Sequence, residues 1–246
     1  MEPNKKKQYD SVKYTKQYID AKEKEKIIYK DTVDFVKRNF FPKRNFFPKV
    51  VLDCGCGYGR SLDTFKIKAH KIVGIDISKK ALAKTKNYIK DKVFLINGDV
   101  ENLPFKDKSV DLILSIEVIS YTDNFKKALI EMKRVLADNG AIVISVENKY
   151  GGILCDPYLE KSELKKAIKY AKTRKTRYFT EEEITNILEE LGFRIVFRDK
   201  IGFTYSGIFH RFMFSKCEIR NIESICKKDN ILSELSRGLC FVCVKN

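Results

Sequence analysis

The fold this sequence predicts is an open α/β sheet, mostly parallel with an antiparallel edge strand and with helices on both faces. Three observations predict it. After residue 50, apolar β-rich runs recur: VVLDC, KIVGIDI, VFLING, VDLILSI and AIVISVE. Runs that are apolar throughout suit strands covered on both faces, as in a parallel sheet. Helical patterns fall between them, as crossover connections require. Glycines follow the first run at alternate positions, where a strand turns into a helix over an anionic ligand.

Taken in order, residues 1–49 read as a basic helical extension packing on the core. Its KEKEKIIYKDTVDFVKRNF stretch carries Ile27, Ile28, Val33, Phe35 and Val36 in a rough helical stripe. The hexapeptide KRNFFP stands at 37–42 and again at 43–48. That is too short for a solenoid unit; it lengthens a surface connection or lines a lid with phenylalanines. Residues 50–246 form one domain. Ser78 caps the helix after the second strand, Asn124 to Leu136 is amphipathic with Gly140 as its stop, and TEEE (Thr180 to Glu183) is a capping box for a helix ending at Gly192. FRIVF and LCFVCV read as an antiparallel pair at the sheet edge. Two long segments, near 148–179 and 204–237, leave the sheet at the carboxyl edge of the strands, where open α/β sheets bind ligands.

The 246 residues are 43% hydrophobic, enough to bury one sizeable core without disulfides or metal. The start has charge but no apolar h-region, and no run approaches eighteen apolar residues, so the expected location is cytoplasmic. Seven cysteines without a repeated framework suit reduced thiols. Cys240 and Cys243 lie three apart in a predicted strand, where they point to opposite faces, and no metal site is predicted. The net charge of +16 fits a polyanionic partner or a lysine-rich thermophile surface equally.

The glycine stretch DCGCGYG lacks GxxxxGK[ST], which excludes a P-loop. Arg60 stands where a GxGxxG dinucleotide fingerprint needs its third glycine. The spacing is DxGxGxG. Asp53, Gly55, Gly57 and Gly59 resemble the first motif of class I S-adenosylmethionine-dependent methyltransferases, and the likeness continues downstream. GIDIS ends the second strand with Asp76, GDVENLPF follows the third, and SVDLILSIEVISY with ALIEMKRVLADNGAIVISV resembles the branch of quinone-biosynthesis and related small-molecule methyltransferases (methyltransferase type 11).

The resemblance implies a Rossmann-like sheet and S-adenosyl-L-methionine as cofactor. It assigns cofactor contact to Asp53, Gly55, Cys56, Gly57 and Gly59; to Asp76 with Ile77; to Asp99 with Val100; and to Ser115, Ile116 and Glu117. The chemistry agrees. Glycine turns bring backbone N–H groups close to a carboxylate, and a carboxylate at a strand end accepts from both ribose hydroxyls. Asp99 would accept from the adenine amino group, and residues 115–117 would border the methionine half.

Methyl transfer is an in-line displacement that needs positioning more than a protein nucleophile, with a base only for acceptors that must lose a proton. Tyr121, where many relatives carry histidine, and His210, in the ligand-side connection, are the catalytic candidates. His70 precedes the second strand and reads as structural. Glu147, Asn148 and Tyr150 follow the fifth strand within reach of an acceptor, with a glycine turn as the plain reading. Residues 161–178 carry eight Lys or Arg against one Glu. They form a solvated face or a clamp for an anionic acceptor. The expected reaction is methyl transfer to an O, N or C atom of a small molecule, anionic ones included. The alternatives are RNA (tRNA) as acceptor through 161–178, and a non-catalytic S-adenosylmethionine-binding regulator.

Overall fold

The computed structural model describes residues 30–41, 47–65, 67–85, 93–154, 176–202, 216–228 and 232–246. His210, Cys155, most of the second KRNFFP copy, the start of the extension and the basic run through Lys175 lie outside the described residues.

Seven strands build one sheet: β1 Val50–Cys54, β2 Lys71–Asp76, β3 Val93–Asn97, β4 Val110–Ile116, β5 Leu136–Glu147, β6 Phe193–Ile201 and β7 Gly238–Lys245. Their order is β3-β2-β1-β4-β5-β7-β6. The first five pair in parallel, while β7 runs antiparallel to both β5 and β6. Apolar runs thus became strands, well covered in β1, β4 and β5, with β5 buried from Gly140 to its end, while β3 is only partly buried and exposes Phe94. The edge pairing holds with a refinement: β7 lies inside and β6 forms the edge.

The helices α1 Lys30–Phe35, continued by a π-helical turn Val36–Phe40, α2 Arg60–Phe65, α3 Lys79–Thr85, α4 Phe125–Val135, α5 Lys149–Leu154, α6 Glu181–Glu190 and α7 Lys216–Lys228 surround it. Two apolar clusters form. One joins α4 and α6 (Leu129, Met132, Ile184, Leu188) to Leu52, Ile113 and Ile144. The other joins α1 and α2 (Val33, Val36, Phe65) to Val51, Leu112 and Val143 on the opposite face. Cys243 belongs to the first cluster and Cys240 to the second, as strand alternation requires.

Caps fall where the sequence places them. Ser78 Oγ accepts from Ala81 N at 3.1 Å, Asn124 caps α4, and Thr180 with Glu183 completes a capping box on α6. Gly140 is a correction. The α4 helix ends at Val135, Leu136 already has extended geometry, and Gly140 lies inside β5. There a Cβ would come within 2.9 Å of the Asp111 carbonyl oxygen, so close backbone approach explains the glycine. Gly151 likewise sits in α5 rather than in a turn.

The β1–α2–β2 connection packs on one face and the β4–α4–β5 connection on the other. The chain therefore parts above the carboxyl ends of β1 and β4. That is the topological switch point at which doubly wound sheets hold ligands.

Candidate active site

The glycine loop begins where β1 ends. Gly55, Gly57 and Gly59 have φ of 66°, 50° and 77°, in the left-handed region. Gly55 is needed twice over, since a Cβ there would lie 2.6 Å from a Val118 methyl. That contact seats the segment after β4 directly on the loop. At Gly57 a Cβ would make only ordinary contacts, with the Gly55 carbonyl oxygen at 3.9 Å and Asp76 Oδ2 at 4.0 Å, so the positive φ is what calls for glycine there.

The amides of this loop are largely bonded within the protein. Cys56 N donates to Ile75 O at 3.1 Å and Gly59 N to Cys56 O at 2.7 Å; Gly57 N donates to Asp76 Oδ2 at 2.8 Å. They fix the loop's shape. Cys56 is buried with its sulfur against Gly74, under the loop. The other oxygen of Asp76 accepts from Ser78 N at 2.8 Å, so two amides from different strand ends orient one half-buried carboxylate. A carboxylate offers about four acceptor positions. Ile77 follows, with its carbonyl accepting from Asn97 Nδ2 at 3.0 Å.

Asp53 is fully buried, and both its oxygens lie within 2.9 Å of Ser61 Oγ. A hydroxyl has one proton to give. Burial, aided by the Asp76 charge, pushes the Asp53 carboxyl up to about 7, against the Ser61 bond and Arg60. Asp99 Oδ1 accepts from Glu101 N at 2.9 Å, closing the turn after β3, with Val100 buried beside it. Ser115 is fully buried in β4 between Cys54 and Ile144, with its hydroxyl lacking a partner.

The carboxyl edge of β4 and β5 holds a second polar group. Ile116 ends β4, and Glu117 then takes φ of 56°. That conformation costs a non-glycine residue about 1–3 kcal/mol. The Glu117 amide is held by the Ser145 carbonyl at 3.2 Å and the Ser145 hydroxyl at 2.9 Å. Tyr121 Oη donates to Glu147 Oε1 at 2.8 Å. The Arg237 guanidinium lies 3.3 Å from that same oxygen and 3.6 Å from Glu117 Oε1. Burial, together with the Glu117 charge, raises the Glu147 carboxyl above its ordinary range, while Arg237 and Tyr121 act to lower it.

Of the sequence candidates, the structure brings together Gly55, Gly57 and Asp76 around the loop, and Tyr121, Glu117 and Glu147 beside it; Val118, which packs on Gly55, was not among them. Asn148 is a buried bracket whose amide donates to the Ser236 and Glu234 carbonyls. Tyr150 is exposed on α5. His70 is exposed at the start of β2, on the far edge of the sheet. Arg237 was not singled out by the motifs. A signal existed: a strand antiparallel to β5 starts at the ligand edge, so the residue before β7 must lie there. Arg177, from the basic run, stacks its guanidinium 4.5 Å from the Phe125 ring centre, and its amide donates to Ser120 O at 2.8 Å.

A methyltransferase domain model matches residues 52–144. The chain is 34% identical over 182 residues to an uncharacterised protein of Methanocaldococcus jannaschii, covering 74% of this chain and 80% of that one. It is 30% identical over 176 residues to the demethylmenaquinone methyltransferase of Thermotoga maritima, covering 65% and 76%. Among solved structures, the plantazolicin methyltransferase in complex with a desmethyl analogue and S-adenosylhomocysteine superimposes with a TM-score of 0.64 at 18% identity, covering 99% of this chain and 94% of that one.

Proposed function

This chain belongs to the class I S-adenosylmethionine-dependent methyltransferases, and from that premise we propose that it methylates a small molecule held at the carboxyl edge of β4 and β5. S-adenosylmethionine supplies a methyl group on a sulfonium, activated for displacement. The residues suited to hold it are Gly55, Gly57 and Gly59 with Asp53, and Asp76 with Ile77, Asp99, Val100 and the β4 end. Asp76, at the carboxyl end of β2, would accept from the ribose hydroxyls.

One observation carries the small-molecule reading. Tyr121 and Arg237 both reach Glu147 Oε1, at 2.8 and 3.3 Å, and Arg237 lies 3.6 Å from Glu117, at the edge where Val118 packs on the glycine loop. Such convergence of a few polar groups is how small-ligand sites fix orientation. Two carboxylates facing one guanidinium disfavour a phosphate at that position, because like charges in partly buried surroundings repel. The demethylmenaquinone methyltransferase relative supports the same reading, since the acceptor in its name is a small molecule.

The experiment is a labelled-methyl assay on cell extract, separated afterwards into small-molecule, RNA and protein fractions. Label is expected in the small-molecule fraction. Label confined to RNA would overturn the acceptor class, and binding of the cofactor with no label anywhere would favour a regulator.

A further inference from the structure

The polar group at the ends of β4 and β5 is more elaborate than holding an acceptor requires. Glu147 has only 5% of its surface exposed, and its Oε1 receives both the Tyr121 hydroxyl at 2.8 Å and the Arg237 guanidinium at 3.3 Å. Its backbone is pinned as well, with Glu147 N donating to Ser120 Oγ at 3.0 Å and Glu147 O accepting from Phe179 N at 3.0 Å. Glu117, in its strained left-handed conformation, places a second carboxylate on the same guanidinium. Strained residues cluster where a site needs a side chain aimed. Tyr121 alone of the Tyr121–Glu147 pair is partly exposed and able to meet a ligand.

We propose, resting on the reading above, that Tyr121 takes the proton of a hydroxyl acceptor and hands its own to Glu147, which makes this chain an O-methyltransferase of an alcohol or phenol. A neutral amine or a thiolate attacks a methyl group without such help. A hydroxyl is a poor nucleophile until its proton leaves, so a built-in proton path serves a hydroxyl acceptor, and a carbon acid is the other acceptor class that would use it. The acceptor O–H proton moves to the Tyr121 oxygen as the Tyr121 proton moves to Glu147 Oε1. The acceptor oxygen forms its bond to the methyl carbon with the freed electron pair, and the pair of the broken carbon–sulfur bond stays on sulfur. Tyr121 ends neutral and Glu147 protonated. Its proton then returns to water, with Arg237 favouring the ionised carboxylate. Glu147 acts through Tyr121 and is a positioning residue, while Tyr121 is the catalytic one. The groups facing Glu147 are Tyr121 from the 3-10 turn after β4, Glu117 from the end of β4 and Arg237 from the residue before β7. Burial and Glu117 hold its proton more firmly than usual, and Arg237 opposes them.

The test compares wild type, Tyr121→Phe, Glu147→Gln and Glu147→Asp. Each is incubated with methyl-labelled S-adenosylmethionine and whole cell extract across pH 5.5–9, and the labelled product is identified by mass spectrometry. The wild-type rate is expected to rise with pH through an apparent pKa above the ordinary glutamate range. Tyr121→Phe and Glu147→Gln lose about 10²- to 10⁴-fold, the usual share of general-base catalysis. Glu147→Asp keeps part of the rate and the acid limb. S-adenosylhomocysteine binds all four alike by calorimetry, which separates the proton role from misfolding. As a readout apart from turnover, infrared difference spectra of wild type against Glu147→Gln should show a protonated carboxyl that persists to higher pH than an ordinary glutamate. The proposal is overturned if Glu147→Gln stays within threefold of wild type or if the label sits on N, C or S. Absence of label with wild type contradicts the proposed function itself. Label with wild type and Glu147→Gln alike removes only the proton path.

Discussion

At the scale of single residues, what governs the site is the balance between burial and bonding at each buried carboxylate. Asp53 is fully buried with Ser61 as its hydroxyl partner, and its carboxyl is pushed up to about 7, above the ordinary aspartate value near 3.9. The folded protein therefore keeps a proton that the unfolded chain has released between about pH 4 and 7. Stability must fall as pH rises through that window. Asp53→Asn cannot titrate and removes the fall. Urea unfolding at pH 4.5 and 8 is expected to show the wild-type midpoint dropping relative to the variant, and parallel changes in the two proteins would contradict this account of Asp53. Asp53, Asp76 and the three glycines were legible in the sequence because their relation is local: a strand end, a turn and the next strand end. Arg237 was not, because its place beside Glu147 depends on a pairing between strands about ninety residues apart, which no short motif encodes. Tyr121 was legible as a position but not as half of a hydrogen-bonded pair with Glu147.

At the scale of elements, local chemistry was a good guide to where helices start and a poorer guide to where they stop. The Thr180–Glu183 box forms as its spacing predicts, with both reciprocal bonds present. It starts a helix whose Ile184 and Leu188 enter the main cluster. Thr180→Ala is expected to cost about 1 kcal/mol, the usual worth of an N-cap. A shift in urea midpoint at unchanged slope measures it, and an unchanged midpoint would mean that the tertiary contacts of α6 suffice alone. Gly140 misled because a glycine after a helical pattern usually marks a C-cap. Here close approach to the Asp111 carbonyl sets the requirement instead. The parallel strands were legible from apolar runs alone, whereas the placement of β7 inside β6 was not, since both strands carry similar patterns and only tertiary pairing orders them.

At the scale of the molecule, the switch point between β1 and β4 explains why distant motifs meet. Connections leaving on opposite faces open a cleft into which the glycine loop, Asp76 and the Tyr121 group converge. The fold class was legible because alternating runs and helices admit few topologies. The net charge of +16 told less, since a total says nothing of where the charge lies. No helix among the described residues is long and apolar enough to cross a membrane. We propose that the glycine loop and Asp76 form an S-adenosylmethionine site in which Asp76 holds the ribose. Calorimetric titration of S-adenosylhomocysteine into wild type and Asp76→Ala tests it most directly. The wild type should bind at micromolar levels or tighter. Loss of hydrogen bonds to a charged group, about 1.5–3 kcal/mol, should weaken the variant by about 10- to 150-fold. Equal affinities, or no binding to the wild type, would contradict the claim.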